Sequence, residues 1–250
     1  MLSRLLRRLS GGGAPVPTLL HLTHAKAGST WITVILHELF DESVAPRGTR
    51  VAAASGGDLS QHVFESGLVY PSMFMTREEV LAHAELDGCK RFVVIRDLRD
   101  TLTALYFSMK LAASAGDAPF EISDDDDSEE AGLIGMLDSR IARIAAIQTS
   151  WLNQGEIVLR YEDLMEHGFD RLRDVFIRRL ALHVSESGLH RAIRAAPAER
   201  GRKTGAVDWR KHFTPKVRAC FVEKFGQLLI DAGYEKDRAW ASSTPPQAGG

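Results

Sequence analysis

Lys26 is the single charged side chain in a run of small residues, HAKAGST at positions 24–30. One ammonium, two hydroxyls and a glycine in seven residues is a composition suited to holding an anion. Lys26 supplies charge, Ser29 and Thr30 supply donors, and Gly28, which has no Cβ, lets the backbone come close to a ligand. Such a run works only where the chain turns. Upstream, residues 18–23 (TLLHLT) are an apolar stretch of strand length that follows Pro15 and Pro17. Downstream the period changes: Trp31, Ile35 and Leu39 recur at i, i+4 and i+8 beside Ile32, Leu36 and Phe40, which is the buried face of a helix. A strand, a small turn and a helix leave the first-turn amides without intrahelical acceptors and place the positive end of the helix dipole at the turn. Residues 26–31, which include Ala27, are the expected phosphate cradle. It differs from the nucleoside-triphosphatase loop GxxxxGK[ST], because Lys26 precedes Gly28 and no loop glycine lies upstream.

A second candidate lies at Arg96. Residues 91–96 (RFVVIR) are the clearest strand, and they run into DLRDTLTALYFSMK, whose Leu98, Leu102, Leu105 and Met109 keep helical spacing. Arg96 falls where strand passes to helix, at the carboxyl end of a sheet, where α/β proteins bind ligands. A guanidinium there can grip a phosphate through paired hydrogen bonds. Arg96, Asp97, Arg99 and Asp100 also read as a surface ion-pair cluster. A third strand at 156–161 (EIVLRY) ends on Tyr161, and the loop at 199–205 (ERGRKTG) carries the adjacent cations Arg202 and Lys203.

These stretches carry a resemblance. HAKAGSTW resembles the 5′-phosphosulfate-binding loop, commonly YPKSGTTW, of sulfotransferases that use 3′-phosphoadenosine 5′-phosphosulfate. VVIRDLRDTLTALYFS resembles the family's 3′-phosphate segment (VxRDPRDxxxS), with Arg96 on its arginine. IVLRYEDL resembles its LRYEDL segment, and ERGRKTGAVDWRKHFT its late RKG…GDWKNHF stretch. The four follow in family order across about residues 20–234. The resemblance implies a single α/β domain over residues 17–240, a P-loop-like sulfotransferase fold with a central parallel sheet flanked by helices. It implies that Lys26 and residues 27–31 hold the 5′ end of the donor, and that Arg96, Arg202 and Lys203 hold the 3′-phosphate. It places Tyr161 near adenine, makes Glu162 structural, and lets Trp31 either stack on adenine or pack in the core. Where the family has a serine this chain has Ala104; Thr103, adjacent to it, is turned by about 100° on an ideal helix.

The implied reaction is transfer of a sulfuryl group to a hydroxyl or amine of a small-molecule or saccharide acceptor, releasing 3′-phosphoadenosine 5′-phosphate (PAP), with no metal. It needs positive charge where negative charge develops, in-line positioning, and a base for the acceptor proton. Many relatives place a histidine in a KTHLP-like segment; here that position is Ser72. The candidates for the base are His62 and Glu65 ahead of the second strand, with His24 in the loop. Two other functions fit part of the pattern: a P-loop kinase-like phosphotransferase using Asp97 for magnesium, and a protein that binds the donor without turnover.

Composition sets the bounds. A chain of 250 residues with net charge −2 has no overall pull toward nucleic acid or anionic membranes, so local cations must hold any anion. Cys89 and Cys220 are far apart and without metal-ligand spacing. No apolar run approaches the about 18 residues of a span, and the basic segment 1–16 lacks the apolar core of a signal peptide. The expected location is cytoplasmic. Residues 114–131 carry four consecutive aspartates and read as a solvated loop or as an acidic lid over an acceptor pocket. Further expectations are a short strand near 50–54, a strand-like run at 67–75 interrupted by Pro71, a capping box at Thr76 and Glu79, and helices over 133–152, 170–182, 186–196 and 215–232. Residues 241–250 are expected to be a disordered tail.

Overall fold

The structure is a computed structural model that describes residues 16–46, 62–114, 128–196 and 208–242. Four strands, β1 (Leu19–Leu22), β2 (Val69–Met73), β3 (Lys90–Ile95) and β4 (Val158–Arg160), form one parallel sheet in the order β2-β1-β3-β4. The apolar runs of β1 and β3 have the composition for this position, since a parallel strand covered on both faces has no solvent side to make polar. Leu19, Phe92, Val94 and Leu159 face one layer, and Leu20, Leu22, Val93 and Ile95 face the other. The first layer is closed by Ile32, Ile35 and Leu36 of α1 (Ser29–Phe40), with Leu164 and Leu172 of α6 (Tyr161–Arg173) and Leu189 of α7 (Glu186–Ala195). The second is closed by Val80 of α2 (Arg77–Leu81) and by Ile147 and Trp151 of α5 (Ala142–Trp151), whose indole N–H donates to the Met75 carbonyl at 2.9 Å. A third cluster joins α3 (Leu98–Ser114), α4 (Glu129–Gly135) and α8 (Pro215–Asp231).

The chain leaves β1 toward β2 on one side and returns across it to β3 on the other. The carboxyl ends of β1 and β3 therefore open a crevice at the switch point of the sheet. Pro71 does not break β2. It is accommodated because β2 is an edge strand, and because the register slips there: Leu20 faces Tyr70 while Leu22 faces Met73. The extra residue puts Ser72 at φ 60, with its N–H donated to Nδ1 of the buried His21. The capping box is as expected, with Thr76 and Glu79 exchanging both hydrogen bonds, and Thr214 with Pro215 opens α8.

Two helices differ from expectation. The segment read as 133–152 starts at Glu129 and passes through a π-helical turn, Leu137–Ile141, before α5. The helix read as 170–182 follows a break at His167 (φ −129°, ψ 37°, outside the helical region), which separates it from a helical stretch opening at Tyr161, and it ends in a second π-turn, Asp174–Arg179. The strand expected near 50–54, the aspartate run, the pair Arg202 and Lys203, the segment before residue 16 and the tail beyond 242 lie outside the described residues. Among the described residues, no helix is long and apolar enough to cross a membrane.

Candidate active site

The crevice is built from the turn after β1. Thr23 extends the strand by donating its hydroxyl to the Val94 carbonyl at 3.0 Å. The chain then reverses through Lys26 (φ 68) and Gly28 (φ 76), both in the left-handed region. Gly28 caps α1 with no side-chain hydrogen bond, and the first intrahelical donor is Ile32, to the Gly28 carbonyl at 3.1 Å. The amides of residues 28–31 precede that bond and are the open donors of the helix end. A glycine is required at this turn on two counts. Its φ is unfavourable for other residues, and a Cβ would lie 2.9 Å from two ring carbons of Tyr161. Ala27 is fully buried against the core and Thr30 is exposed at the helix end. Ser29 presents its carbonyl to the hydroxyls of Thr33 (2.7 Å) and Ser72 (3.1 Å).

Lys26 and Arg96 meet here. The Lys26 ammonium donates to Ser108 Oγ at 2.7 Å, and burial, then the Arg96 guanidinium, lower its pKa from the usual lysine value. Arg96 Nη1 donates to the Lys26 carbonyl at 2.8 Å, and its guanidinium lies 4.8 Å from the centre of the Tyr161 ring. Among the described residues, Arg96 Nε is buried without a protein partner, so a donor is left over at the crevice. Trp31, half-buried, packs on the core beneath α1, with its ring edge against Gly168. Lys26, residues 27–31, Arg96 and Tyr161 thus converge as the sequence suggests. Arg202 and Lys203 are outside the described residues, but Trp209, just beyond their loop, donates its backbone N–H to Asp100.

The remaining charges of the second candidate are not a surface cluster. Arg99 is almost fully buried, bridges Asp97 and Glu235, and sits between the rings of Trp209 (4.2 Å) and Trp240 (4.5 Å). Both oxygens of Asp97 accept from Arg99, so the carboxylate that a magnesium-dependent kinase would need is already committed. Glu162 accepts from the Asp97 N–H and from the Tyr234 hydroxyl, which is a structural role. Asp100 is pushed up to about 6 by burial, then by the neighbouring Asp97.

The candidate bases are placed elsewhere. Gly67 N–H meets Thr18 Oγ1 and Leu19 N–H meets the Leu68 carbonyl, so the approach to β2 runs along the amino edge of the sheet, away from the loop. His62 there packs edge-on against Phe64, and the backbone of Glu65 exchanges hydrogen bonds with the Tyr70 hydroxyl. Neither is brought to Lys26 by these contacts. Ser72 shares its hydroxyl with Thr33 and the Ser29 carbonyl. His24 is fully buried, its pKa lowered to about 4 by desolvation, and both ring nitrogens are in use. Ala104 offers no donor, and Thr103 is buried and bonded to the Arg99 carbonyl. Ser108, one turn beyond Ala104, is the hydroxyl that reaches the site.

One site residue was missed from sequence. Gln148 is a fully buried glutamine in an otherwise apolar helical stripe; its Nε2 lies 2.8 Å from His24 Nε2 and 2.8 Å from the Arg96 carbonyl. The signal was there, a polar residue at an apolar position of the period.

No protein-family model matches the chain, and no curated protein does either. Among solved structures, the crystal structure of mouse sulfotransferase SULT7A1 complexed with PAP is similar, with a TM-score of 0.60 at 16% identity, covering 88% of this chain and 87% of that one. With its single four-stranded parallel sheet flanked by helices, this chain has the sulfotransferase fold.

Proposed function

We propose that the protein is a sulfotransferase that takes a sulfuryl group from 3′-phosphoadenosine 5′-phosphosulfate and gives it to a hydroxyl or amine of a small-molecule or saccharide acceptor. The observation that carries the reading is the meeting of Lys26, at the open end of α1, with Arg96, whose Nε is buried and has no partner among the described residues. The two cations are locked together through the Lys26 carbonyl, with the Tyr161 ring beside them. In this reading the amides of residues 28–31 and the hydroxyls of Ser29 and Thr30 hold the 5′-phosphate end, and Arg96, with Arg202 and Lys203, holds the 3′-phosphate. Tyr161, beside Arg96, lies against the adenine, while Trp31 stays packed on the core.

The donor supplies an activated sulfur whose bond to the phosphate oxygen breaks as the bond from the acceptor oxygen or nitrogen forms, while the acceptor proton leaves to a base or to water. Lys26 meets the charge that builds on the departing oxygen. A fixed ammonium in a partly dehydrated crevice does this better than water, because no solvent has to reorganise as the charge appears. Its lowered pKa eases donation of a proton or a strong hydrogen bond to that oxygen. The similarity to a structure complexed with PAP supports the choice of nucleotide. The commitment of Asp97 to Arg99 weighs against the magnesium-dependent kinase.

The test is calorimetric titration with PAP and with ATP plus magnesium, on wild type and Lys26→Ala. Metal-independent binding of PAP, weaker binding of ATP and clear loss in the variant are expected. Preference for ATP with magnesium, or no binding of PAP, would overturn the reading. Binding without turnover across an acceptor panel would leave a donor-binding protein.

A further inference from the structure

His24 and Gln148 form a closed hydrogen-bond circuit behind the loop. His24 Nδ1 lies 2.8 Å from the Ala25 carbonyl, so it carries the proton, and Nε2 is left as an acceptor. Two donors converge on Nε2: the Arg96 backbone N–H at 3.3 Å and Gln148 Nε2 at 2.8 Å. The second amide proton of Gln148 goes to the Arg96 carbonyl at 2.8 Å. Arg96 is thus fixed through its N–H, its C=O and its Nη1, and each bond leads directly or through one residue back to the loop that carries Lys26.

We propose that Gln148 is a positioning residue that sets the separation of Lys26 and Arg96, holding His24 neutral and in one tautomer so that the loop is preformed for a ligand with two anionic groups. The loop needs such support because its Lys26 and Gly28 are both left-handed, a conformation that a residue with a Cβ such as Lys26 adopts only under restraint. Among the described residues, α5 supplies part of that support through Gln148, beside the Arg96 and Ser108 contacts of Lys26. Three segments far apart in sequence meet at one imidazole nitrogen, and the glutamine is the only member of the set that can donate to both His24 and Arg96. The charged group whose field reaches His24 is Arg96, which disfavours the imidazolium and keeps the acceptor available.

The proposal rests on the donor-binding reading for its ligand but not for its geometry, so two readouts are needed. The first is hydrogen–deuterium exchange of the ligand-free protein over residues 24–31 and 96–99, with the 15N shifts of the His24 ring. The second is PAP titration between about pH 5 and 8, the range in which histidine titrates. The variants are Gln148→Leu, which removes both donors, and Gln148→Glu, which keeps the shape and places a carboxylate on Nε2. In both, exchange across 24–31 should rise, and PAP should bind about two- to tenfold weaker, the loss expected of one hydrogen bond. Gln148→Glu should also show an imidazolium signal for His24 and a pH-dependent affinity that wild type lacks. If exchange and the His24 signals in both variants match wild type, or if melting falls while PAP affinity stays unchanged, Gln148 only fills the core and the proposal fails. If wild type does not bind PAP while loop exchange and the His24 signals change as stated, the donor reading falls and the positioning role stands.

Discussion

Replacing Gly28 with alanine tests the local architecture most sharply. The new Cβ would lie 2.9 Å from Cδ2 and Cε2 of Tyr161, and the residue would keep φ at 76. The left-handed backbone alone costs a non-glycine residue about 1–2 kcal/mol. The ring must also move off the Arg96 guanidinium, forfeiting about 0.5–1 kcal/mol of cation–π attraction. The sum is about 1.5–3 kcal/mol, or a melting temperature lower by roughly 3–12 °C for a chain of this size. Gly88 is the control: it has a similar φ of 68 with nothing within 4 Å of its would-be Cβ, so Gly88→Ala isolates the backbone cost. Differential scanning calorimetry on both variants, repeated in a Tyr161→Ala background, closes the cycle. Gly28→Ala should cost more than Gly88→Ala with the tyrosine present and the same without it. Equal costs in both backgrounds would refute the claim that loop and ring are in contact.

Asp100 has a pKa raised from 3.8 to about 6. The folded state therefore binds the proton more tightly, and stability falls as pH rises between those values. Asp100→Asn should be more stable than wild type at pH 7 by up to about 3 kcal/mol and indistinguishable below pH about 4, as read by urea denaturation; a stability difference independent of pH would contradict the assignment. Arg99→Met strips the counter-ion from buried Asp97 and should lower stability by about 3–5 kcal/mol in the same assay. A loss below about 1 kcal/mol, the value of an exposed pair, would show that the network is solvated.

The loop at 24–31 was legible because its chemistry and the change of period lie in one stretch of chain. A strand-length apolar run, a glycine and a helical repeat locate Lys26 without knowledge of anything distant. Arg96 and Tyr161 were legible for the same reason, each closing an apolar strand. His62 and Glu65 look close to the site in sequence, yet the direction in which β2 enters the sheet puts them at the other edge, and direction is a property of the sheet and not of the segment. Ser72 illustrates a similar limit: only the register slip opposite β1 reveals that its hydroxyl is occupied by Thr33 and Ser29. Arg99 carries no mark in sequence that separates it from a surface arginine, since its burial depends on two tryptophans more than 100 residues downstream.

The distance along the chain between these partners matters when the protein is made. The backbone of the Arg96 turn is held by Glu162, Glu162 is held by Tyr234, and Arg99 is held by Glu235 and Trp240. A ribosome delivers residues from the amino end, so the loop at Lys26 emerges before partners that lie more than 130 residues downstream. Until they arrive, Arg99 and Asp97 have half of their intended surroundings, and the long loops that must close make this a slow, late step. The Lys26 end of the sheet, translated before these partners, is finished only after them, so the Arg96 turn is complete only once the segment after α8 has docked.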